Sequence, residues 1–319
     1  MINTNETNSE LLPLVSKVLN VNIFILPIFG IFGNICIIMG TIKNKEFKNK
    51  CGILIANLSF WHSIMLVFEI CSGIRIFTKN SAMERSRCLH TIFLHLFSSA
   101  MAKWLMLATG IDRLIAILRP INHKYWNNTL YSIVISLPGL LFALAMVVIG
   151  FMTIDDEMLS FCNPISVLIT KVKTIYRFII VGFSFITIIL YSLTFIILYI
   201  HTKKNFKNDH SMLTIHKEMA TSLALNALFF VISTFLGYLI MCLVQIFSFS
   251  RTTIDVFDAL MAIPILITSS CMYYLLFWRA HRYRTFFKEQ FKCRSKLEVK
   301  SINTTRISHK KNGQTRVFI

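Results

Sequence analysis

The sequence predicts an all-α membrane protein, a bundle of seven transmembrane helices. Hydrophobic residues make up 55% of the 319 residues and charged residues only 15%, a composition that is hard to reconcile with a soluble globule covered by polar surface. A helix crosses the hydrocarbon core of a bilayer with about 20 apolar residues, and stretches of this kind alternate with short charged segments. The seven predicted spans are 21–42, 51–72, 89–111, 129–151, 174–200, 218–247 and 254–277.

Basic residues between the spans predict which side of the membrane each segment faces. Of the 33 Lys and Arg residues, 23 lie in the segments 43–50, 112–128, 201–217 and 278–319, whereas the opposite segments carry no net charge. Cytoplasmic segments are enriched in Lys and Arg, so seven spans place the N-terminus outside the plasma membrane and the C-terminus inside. Attraction to membrane lipid explains the basic excess more simply than nucleic-acid binding, so no nucleic-acid partner is expected.

Residues 1–20 are predicted to form a short extracellular N-terminus. They lack the basic region that opens a cleavable signal peptide, so the first span is expected to act as an uncleaved anchor. Asn5 begins an N-glycosylation motif on the predicted outer side. Such motifs also arise by chance, since two others begin at Asn127 and Asn303 on the predicted inner side.

Two of the eight cysteines lie on the predicted outer side. Cys88 begins the third span, and Cys162 lies in the loop between the fourth and fifth spans. Because this compartment is oxidising, a disulfide between them is predicted, with two unpaired thiols as the alternative. The bond would hold the loop across the mouth of the bundle. The other six cysteines are expected to be small apolar packing residues.

A charged motif marks the inner end of the third span, with Asp112 and Arg113 followed by Ala116 and Pro120. An Arg at the end of a membrane helix is costly to desolvate unless it is paired or reaches water, so it can serve two states of similar energy. The motif resembles the Asp-Arg-x-x-Ala-x-x-x-Pro signature of rhodopsin-like G-protein-coupled receptors.

This resemblance implies that Asp112 holds Arg113 at rest and releases it toward a heterotrimeric G protein on activation. Glu218, at the inner end of the sixth span, is a candidate second partner of Arg113, with an ordinary solvated acid as an equal alternative. A juxtamembrane charged pair without a special role is the alternative for the whole motif.

Other segments match the rhodopsin-like pattern only in part. Gly33-Asn34 and Asn57-Leu58-Ser59 resemble its first-helix and second-helix motifs, but His62 stands where a sodium-binding Asp is usual. The seventh span lacks Asn-Pro-x-x-Tyr, and the sixth lacks Cys-Trp-x-Pro. The runs 50–56, 110–116 and 283–287 are similar to the nematode serpentine chemoreceptor class srsx. That resemblance spans the bundle and implies the sensing of a small environmental molecule or a peptide.

Ionisable residues inside the spans predict a buried polar cluster. Lys103 lies about 15 Å outward of the charged motif, at 1.5 Å per helical residue, which places it deep in the membrane. A lysine at that depth usually faces the bundle interior and pairs with another group there. His62 and Glu69 in the second span lie at comparable depth, so the three are predicted to cluster and order the core. Capping of Lys103 by backbone carbonyls and water is the alternative. His90 and His95 are candidates for a ligand pocket, although isolated His residues more often serve packing.

Aromatic and basic residues alternate after the seventh span. The aromatic residues recur at helical spacing, at Tyr283, Phe286, Phe287 and Phe291. This pattern predicts an amphipathic juxtamembrane helix over residues 278–293, lying on the inner leaflet. Cys293 is a candidate for palmitoylation, with an unmodified thiol as the alternative. Residues 294–319 are polar and basic and are predicted to form a disordered cytoplasmic tail.

A membrane channel or transporter is the main alternative function. Transporters often contain internal repeats or paired helices broken by Gly and Pro, but this chain has only six Pro and no evident repeat. A retinal-binding pump needs a lysine in its last span, and residues 254–277 contain none. The spans show no metal-ligand pattern or catalytic motif, so neither an enzyme activity nor a cofactor is expected.

Overall fold

The computed structural model describes residues 4–78, 80–159, 162–205, 228, 235, 237, 239–240, 262–279, 281 and 283–288. The predicted sixth span, 218–247, lies almost entirely outside these residues, as does the beginning of the predicted seventh span. Glu218, Cys293 and the predicted tail 294–319 also lie outside them.

This part of the chain is almost wholly helical. Its α-helices are α1 (Thr4–Lys43), α2 (Lys50–Phe77), α3 (Arg85–Leu118), α4 (Pro120–Tyr125), α5 (Asn128–Met152), α6 (Thr170–Asn205) and α7 (Ala262–Arg279). A 3-10 turn spans Lys45–Phe47, and two short strands, β1 (Met83–Glu84) and β2 (Met158–Leu159), pair antiparallel. Residues 283–288 are also helical.

Among the described residues, five helices have the length and apolar character of membrane spans, and these correspond to the first five predicted spans. They are Asn22–Lys43 within α1, α2, α3, α5 and Thr170–Ile197 within α6. Ile263–Trp278 in α7 is a shorter apolar helix at the predicted seventh span. Helix α1 starts at Thr4, so the predicted extracellular N-terminus continues the first helix, with Asn5 in its first turn.

Local sequence sets where several of these helices begin and end. The side chain of Asn49 accepts a hydrogen bond from the Gly52 amide at the start of α2, and Asn127 caps α5 in the same way. Pro120 disfavours helical backbone at the residue before it, so α3 ends at Leu118 and α4 begins at Pro120.

Helix α3 lies at the centre of the described bundle. It contacts α2, α5 and α6, while α1 contacts α2 and α7. The most apolar stretch of α3 is 72% buried inside the protein, whereas the corresponding stretches of α5 and α6 are each 28% buried. Much of the remaining surface of α5 consists of exposed Leu, Ile and Val side chains, which suit a helix surrounded by lipid. Residues of α3 are therefore best placed to contact several helices at once.

Helices α1 and α7 approach closely at small residues. A Cβ atom added to Gly30 would lie only 2.3 Å from the Ser270 Oγ atom, so a larger residue there would push the helices apart. The Ser270 hydroxyl donates to the Leu26 carbonyl at 2.9 Å, and the Asn34 amide donates to the Ser269 carbonyl at 3.1 Å. These contacts hold α1 against α7, and they do not involve residues of the predicted sixth span.

Candidate functional site

The carboxylate of Asp112 is fully buried near the C-terminal end of α3, the predicted inner end, with 0% of the residue exposed. The Nε and Nη2 atoms of Arg113 donate to its Oδ2 atom at 3.1 and 2.5 Å. Its Oδ1 atom lies 2.8 Å from the Nε2 atom of His123 in α4. A buried carboxylate is stable only when it is paired in this way. Asp112 therefore connects α3 to α4 through both of its oxygens.

The short helix α4 brings His123 to this carboxylate. Pro120 occupies its first turn, where the missing amide hydrogen and fixed φ of proline are favourable. The chain turns at Arg119, which lies between the two helices. Of the other two motif residues, Ala116 is half-buried in α3 and Pro120 is exposed. Because Pro120 begins α4, it helps to place His123 beside Asp112.

Aromatic rings surround the contact between His123 and Asp112. The Tyr131 ring of α5 packs edge-on against His123, with centroids 5.5 Å apart, and stacks on Trp126 at 5.6 Å. The Tyr131 hydroxyl is buried beside the Asp112 carboxylate without a well-aligned hydrogen bond. The rings of Tyr131 and Trp126 thus both pack beside the imidazole of His123.

Lys50, at the start of α2, is a further basic residue near Asp112. Its side chain is buried, and the Nζ atom donates to the Asn128 Oδ1 atom at 3.0 Å. The Asn128 amide donates in turn to the Lys48 carbonyl at 2.9 Å. The Lys50 ammonium interacts electrostatically with Asp112. One carboxylate is thus surrounded by cationic or protonatable groups from α2, α3 and α4.

The Arg113 guanidinium also lies within electrostatic range of sulfur and hydroxyl groups on other helices. Its side chain is 14% exposed, and it interacts with Cys51 of α2 and Tyr191 of α6. The Tyr191 hydroxyl lies 3.3 Å from the Thr109 hydroxyl of α3. Tyr283, in the helical segment after α7, lies in the same hydrophobic cluster as Cys51 and Tyr191. Arg113 is therefore bound by Asp112 and is influenced electrostatically by groups from three other parts of the chain.

Two aromatic residues of the helical segment after α7 pack into the protein. Tyr283 and Phe287 are 4% and 1% exposed. Tyr283 stacks on Phe47 with centroids 4.3 Å apart, and Phe287 lies 4.6 Å from the Tyr273 ring of α7. This burial raises the pKa of the Tyr283 hydroxyl, which therefore stays protonated.

The predicted disulfide between Cys88 and Cys162 is confirmed. Sequence analysis missed a second tie of the same outer loop to α3. The buried Arg85 guanidinium pairs with Asp155 and, at 2.6 Å, with Glu157. Strands β1 and β2 pair beside it, with Met83 opposite Leu159. The loop is consequently held to α3 by a covalent bond, ion pairs and a small sheet.

The closest contact in the predicted polar cluster involves a residue outside the predicted set. His62 and Lys103 are buried as expected, and Lys103 interacts electrostatically with both His62 and Glu69. The closest basic side chain to Glu69 among the described residues, however, is His95, whose Nε2 atom lies 3.4 Å from Glu69 Oε1. His95 therefore joins a cluster that sequence analysis had kept separate from it.

The two candidate pocket residues lie in different surroundings. His95 is 2% exposed and stacks on Phe68 with centroids 5.7 Å apart. His90 is exposed and packs against Phe151 of α5 at 5.2 Å. The structure does not bring these two side chains together. Arg177 in α6, which is 1% exposed, was missed, although an arginine inside a predicted span is a functional signal by itself.

These features define a multi-pass membrane protein whose central helix carries a paired arginine at its inner end. Residues 27–291 match the family model described as "Serpentine type 7TM GPCR chemoreceptor Srsx". The chain therefore belongs to the Srsx family of serpentine chemoreceptors, and it is a chemosensory G-protein-coupled receptor rather than a member of an enzyme family. A search of curated proteins found no match.

Proposed function

We propose that the protein is a seven-span receptor of the plasma membrane that responds to an extracellular small molecule or peptide through Asp112 and Arg113. Its N-terminus lies outside the cell, and its C-terminus lies inside, where Arg113 acts on a heterotrimeric G protein. The main support is the fully buried Asp112 carboxylate, whose two oxygens are bound by Arg113 and His123.

A switch needs two arrangements whose free energies differ by only a few kcal/mol. In the described state, the Arg113 guanidinium gives up hydration and gains the Asp112 carboxylate. Because the Arg113 side chain is 14% exposed, the released guanidinium can recover hydration at the inner face. For a buried ion pair, the cost of desolvation and the gain from pairing nearly cancel. A ligand that binds one of the two states more tightly therefore shifts the population toward that state.

The side of α4 away from the bundle suits contact with the G protein. Ile121 and Tyr125 are 70% and 82% exposed, and they lie four residues apart, on one side of the helix. Neighbouring exposed apolar groups of this kind are available for contact with a partner. His123, between them in the sequence, holds Asp112. A G protein bound to α4 would therefore act directly on the contact that holds the resting state.

We expect Ile121→Ala to lower receptor-driven nucleotide exchange on a co-expressed Gα subunit about fivefold, because truncation of a residue that carries much of the binding energy of an interface costs about 1 kcal/mol or more. Exchange is measured in membranes without ligand and divided by the amount of receptor at the cell surface. Ile133→Ala is the matched control, since Ile133 is similarly exposed on α5. Equal loss in both variants, or loss in neither, would contradict a G-protein contact at α4.

On the outer side, we place the ligand near the polar cluster of His62, Glu69, His95 and Lys103. The Nδ1 atom of His95 is buried and makes no hydrogen bond within the described residues. The loop held by Cys162 lies on the same side of the bundle as the predicted entrance. A contribution of His90 to the pocket, a glycan on Asn5 and a palmitoyl chain on Cys293 remain predictions.

Lys103→Met is expected to lower the surface level of the receptor and its melting temperature. Met has a similar length but no charge, so Glu69 keeps His95 and loses the ammonium of Lys103. A loss of about 2 kcal/mol corresponds to a fall of about 5 °C for a protein of this size. Melting is measured on detergent-solubilised protein, with Lys171→Met, an exposed lysine of α6, as control. An unchanged melting temperature would remove Lys103 from the ordering of the core.

The proposed function is tested by expressing the chain with several Gα subunits and screening pools of small molecules and peptides. A ligand should stimulate nucleotide exchange in wild-type membranes and fail to do so with Arg113→Ala at an equal surface level. Ligand-driven ion flux without any Gα subunit would instead support a channel or transporter.

A further inference from the structure

One asparagine side chain ties the first turn of α5 to the start of α2. The Oδ1 atom of Asn128 accepts a hydrogen bond from the Lys50 Nζ atom at 3.0 Å, and its Nδ2 atom donates to the Lys48 carbonyl at 2.9 Å. These partners lie 78 and 80 positions earlier in the sequence. We call this pair of hydrogen bonds the Asn128 bridge, and it joins the segments that precede α2 and α5.

The contact between Asn128 and Lys50 is a strong one. Lys50 is 4% exposed, and a buried ammonium is costly unless it is paired and hydrogen-bonded. Within the described residues, its hydrogen-bond acceptor is the Asn128 oxygen. Hydrogen bonds to a charged group are stronger than those between neutral groups. Lys50 therefore holds the Asn128 amide, and with it the first turn of α5, in one position.

Tyr131 connects the Asn128 bridge to the contact that binds Asp112. It lies three residues after Asn128, on the same side of α5. The Lys50 Nζ atom lies 6.0 Å from the centre of its ring, which packs edge-on against His123 with centroids 5.5 Å apart. The His123 Nε2 atom lies 2.8 Å from the Asp112 Oδ1 atom. A series of contacts thus runs from α2 through Tyr131 to the buried carboxylate.

We propose that Asn128 is a positioning residue of the resting state, which holds α5 so that Tyr131 keeps His123 against Asp112. This inference rests on the proposed function, because it assigns the effect of the Asn128 bridge to the release of Arg113. Asn128 acts through other side chains and does not itself bind Asp112 or Arg113.

The orientation of the Asp112 carboxylate determines the direction of the effect. Because His123 occupies Oδ1, the carboxylate is fixed with Oδ2 toward Arg113, where it accepts from Nε and Nη2 at 3.1 and 2.5 Å. The strength of both bonds depends on distance and angle, so a carboxylate that rotates freely holds Arg113 less well. Loss of the Asn128 bridge therefore destabilises the resting state and raises the population of the released one.

The test replaces Asn128 by alanine, which removes both hydrogen bonds of the bridge without changing any charge. The readout is ligand-independent nucleotide exchange on a co-expressed Gα subunit, per receptor at the surface. We expect Asn128→Ala to raise exchange about fivefold, at the lower end of the usual coupling between two states. Thr129→Ala is the matched control, since Thr129 lies in the same turn with its side chain exposed, and it should not raise exchange.

A conservative variant separates a positioning role from a merely structural one. Asn128→Asp keeps the oxygen that Lys50 needs, so it should raise exchange less than Asn128→Ala does. Equal rises in the two variants would overturn the proposal. So would an Asn128→Ala receptor with a lower melting temperature and surface level but unchanged exchange, because that result describes a contact that only stabilises the fold.

The Asp112→Asn background distinguishes a failure of this inference from a failure of the proposed function. The oriented carboxylate is absent there, so Asn128→Ala should add no further rise. A further fivefold rise would show that Asn128 does not act through Asp112 and would overturn its role. If Asp112→Asn raises exchange and Asn128→Ala does not, the role of Asn128 alone is overturned. If Asp112→Asn does not raise exchange, the proposed function fails, and this inference fails with it.

A second substitution is available if Asn128→Ala does not reach the surface. Asn128→Ser keeps a polar group at the start of α5, but its hydroxyl is too short to bind both Lys50 and the Lys48 carbonyl. The same fivefold rise is expected for this variant, and its absence overturns the role of Asn128.

Discussion

Asp112→Asn is expected to raise ligand-independent nucleotide exchange about tenfold per receptor at the surface. The asparagine keeps the size of the side chain and an oxygen acceptor but removes the charge that holds the Arg113 guanidinium. Coupling free energies between two receptor states are typically about 1–3 kcal/mol, or about 5–150-fold in population. Because both Asp112 oxygens are occupied in the described state, the loss of charge should favour release strongly.

The same substitution should also lower the amount of receptor at the surface, because it leaves Arg113 and His123 beside an uncharged group in a buried place. Exchange is therefore normalised to surface receptor, measured on intact cells. Asp156→Asn is the matched control, since Asp156 is exposed in the outer loop. Normalised exchange at or below the wild-type rate would show that the Asp112 charge does not hold the resting state.

Cys88→Ser should reduce the receptor at the cell surface at least about fivefold, because the loss of a native disulfide commonly costs about 2–5 kcal/mol and small losses of stability change abundance several-fold. The bond joins residues that are 74 positions apart and fixes the outer loop to α3. The ion pairs of Arg85 remain in this variant. The acidic side chains of these ion pairs, Asp155 and Glu157, are partly exposed. The ion pairs therefore replace only part of the lost stability.

Cys71→Ser is the control for that experiment, since Cys71 is an exposed free thiol of α2. It should leave surface expression at the wild-type level. Surface expression of Cys88→Ser equal to that of Cys71→Ser would mean that the ion pairs and the small sheet suffice to hold the loop. The Cys88 and Cys162 double substitution should resemble Cys88→Ser, because either change alone breaks the same bond.

Membrane-spanning helices were predictable because the bilayer demands long apolar segments, whatever their partners. The helix boundary at Pro120 and the disulfide of Cys88 and Cys162 follow equally from local chemistry and compartment. The start of α1 at Thr4 was not predicted, since the polar residues at 1–10 carry no hydropathy signal for a helix.

The partners of the predicted site residues were harder to predict. Asp112 and Arg113 are neighbours in the sequence, but His123 reaches Asp112 only through the turn at Arg119. The contact of Glu69 with His95 depends on the rotation of α2 against α3, which periodicity does not fix. Amphipathicity likewise shows that Tyr283 avoids water but does not distinguish lipid from protein.

The central claim is that release of Arg113 from Asp112 activates the G protein. It is tested most directly by measuring ligand-independent nucleotide exchange for Asp112→Asn with and without Arg113→Ala, at equal surface levels. We expect raised exchange in the single variant and background exchange in the double variant, because the freed guanidinium carries the signal. A double variant as active as Asp112→Asn would contradict the claim.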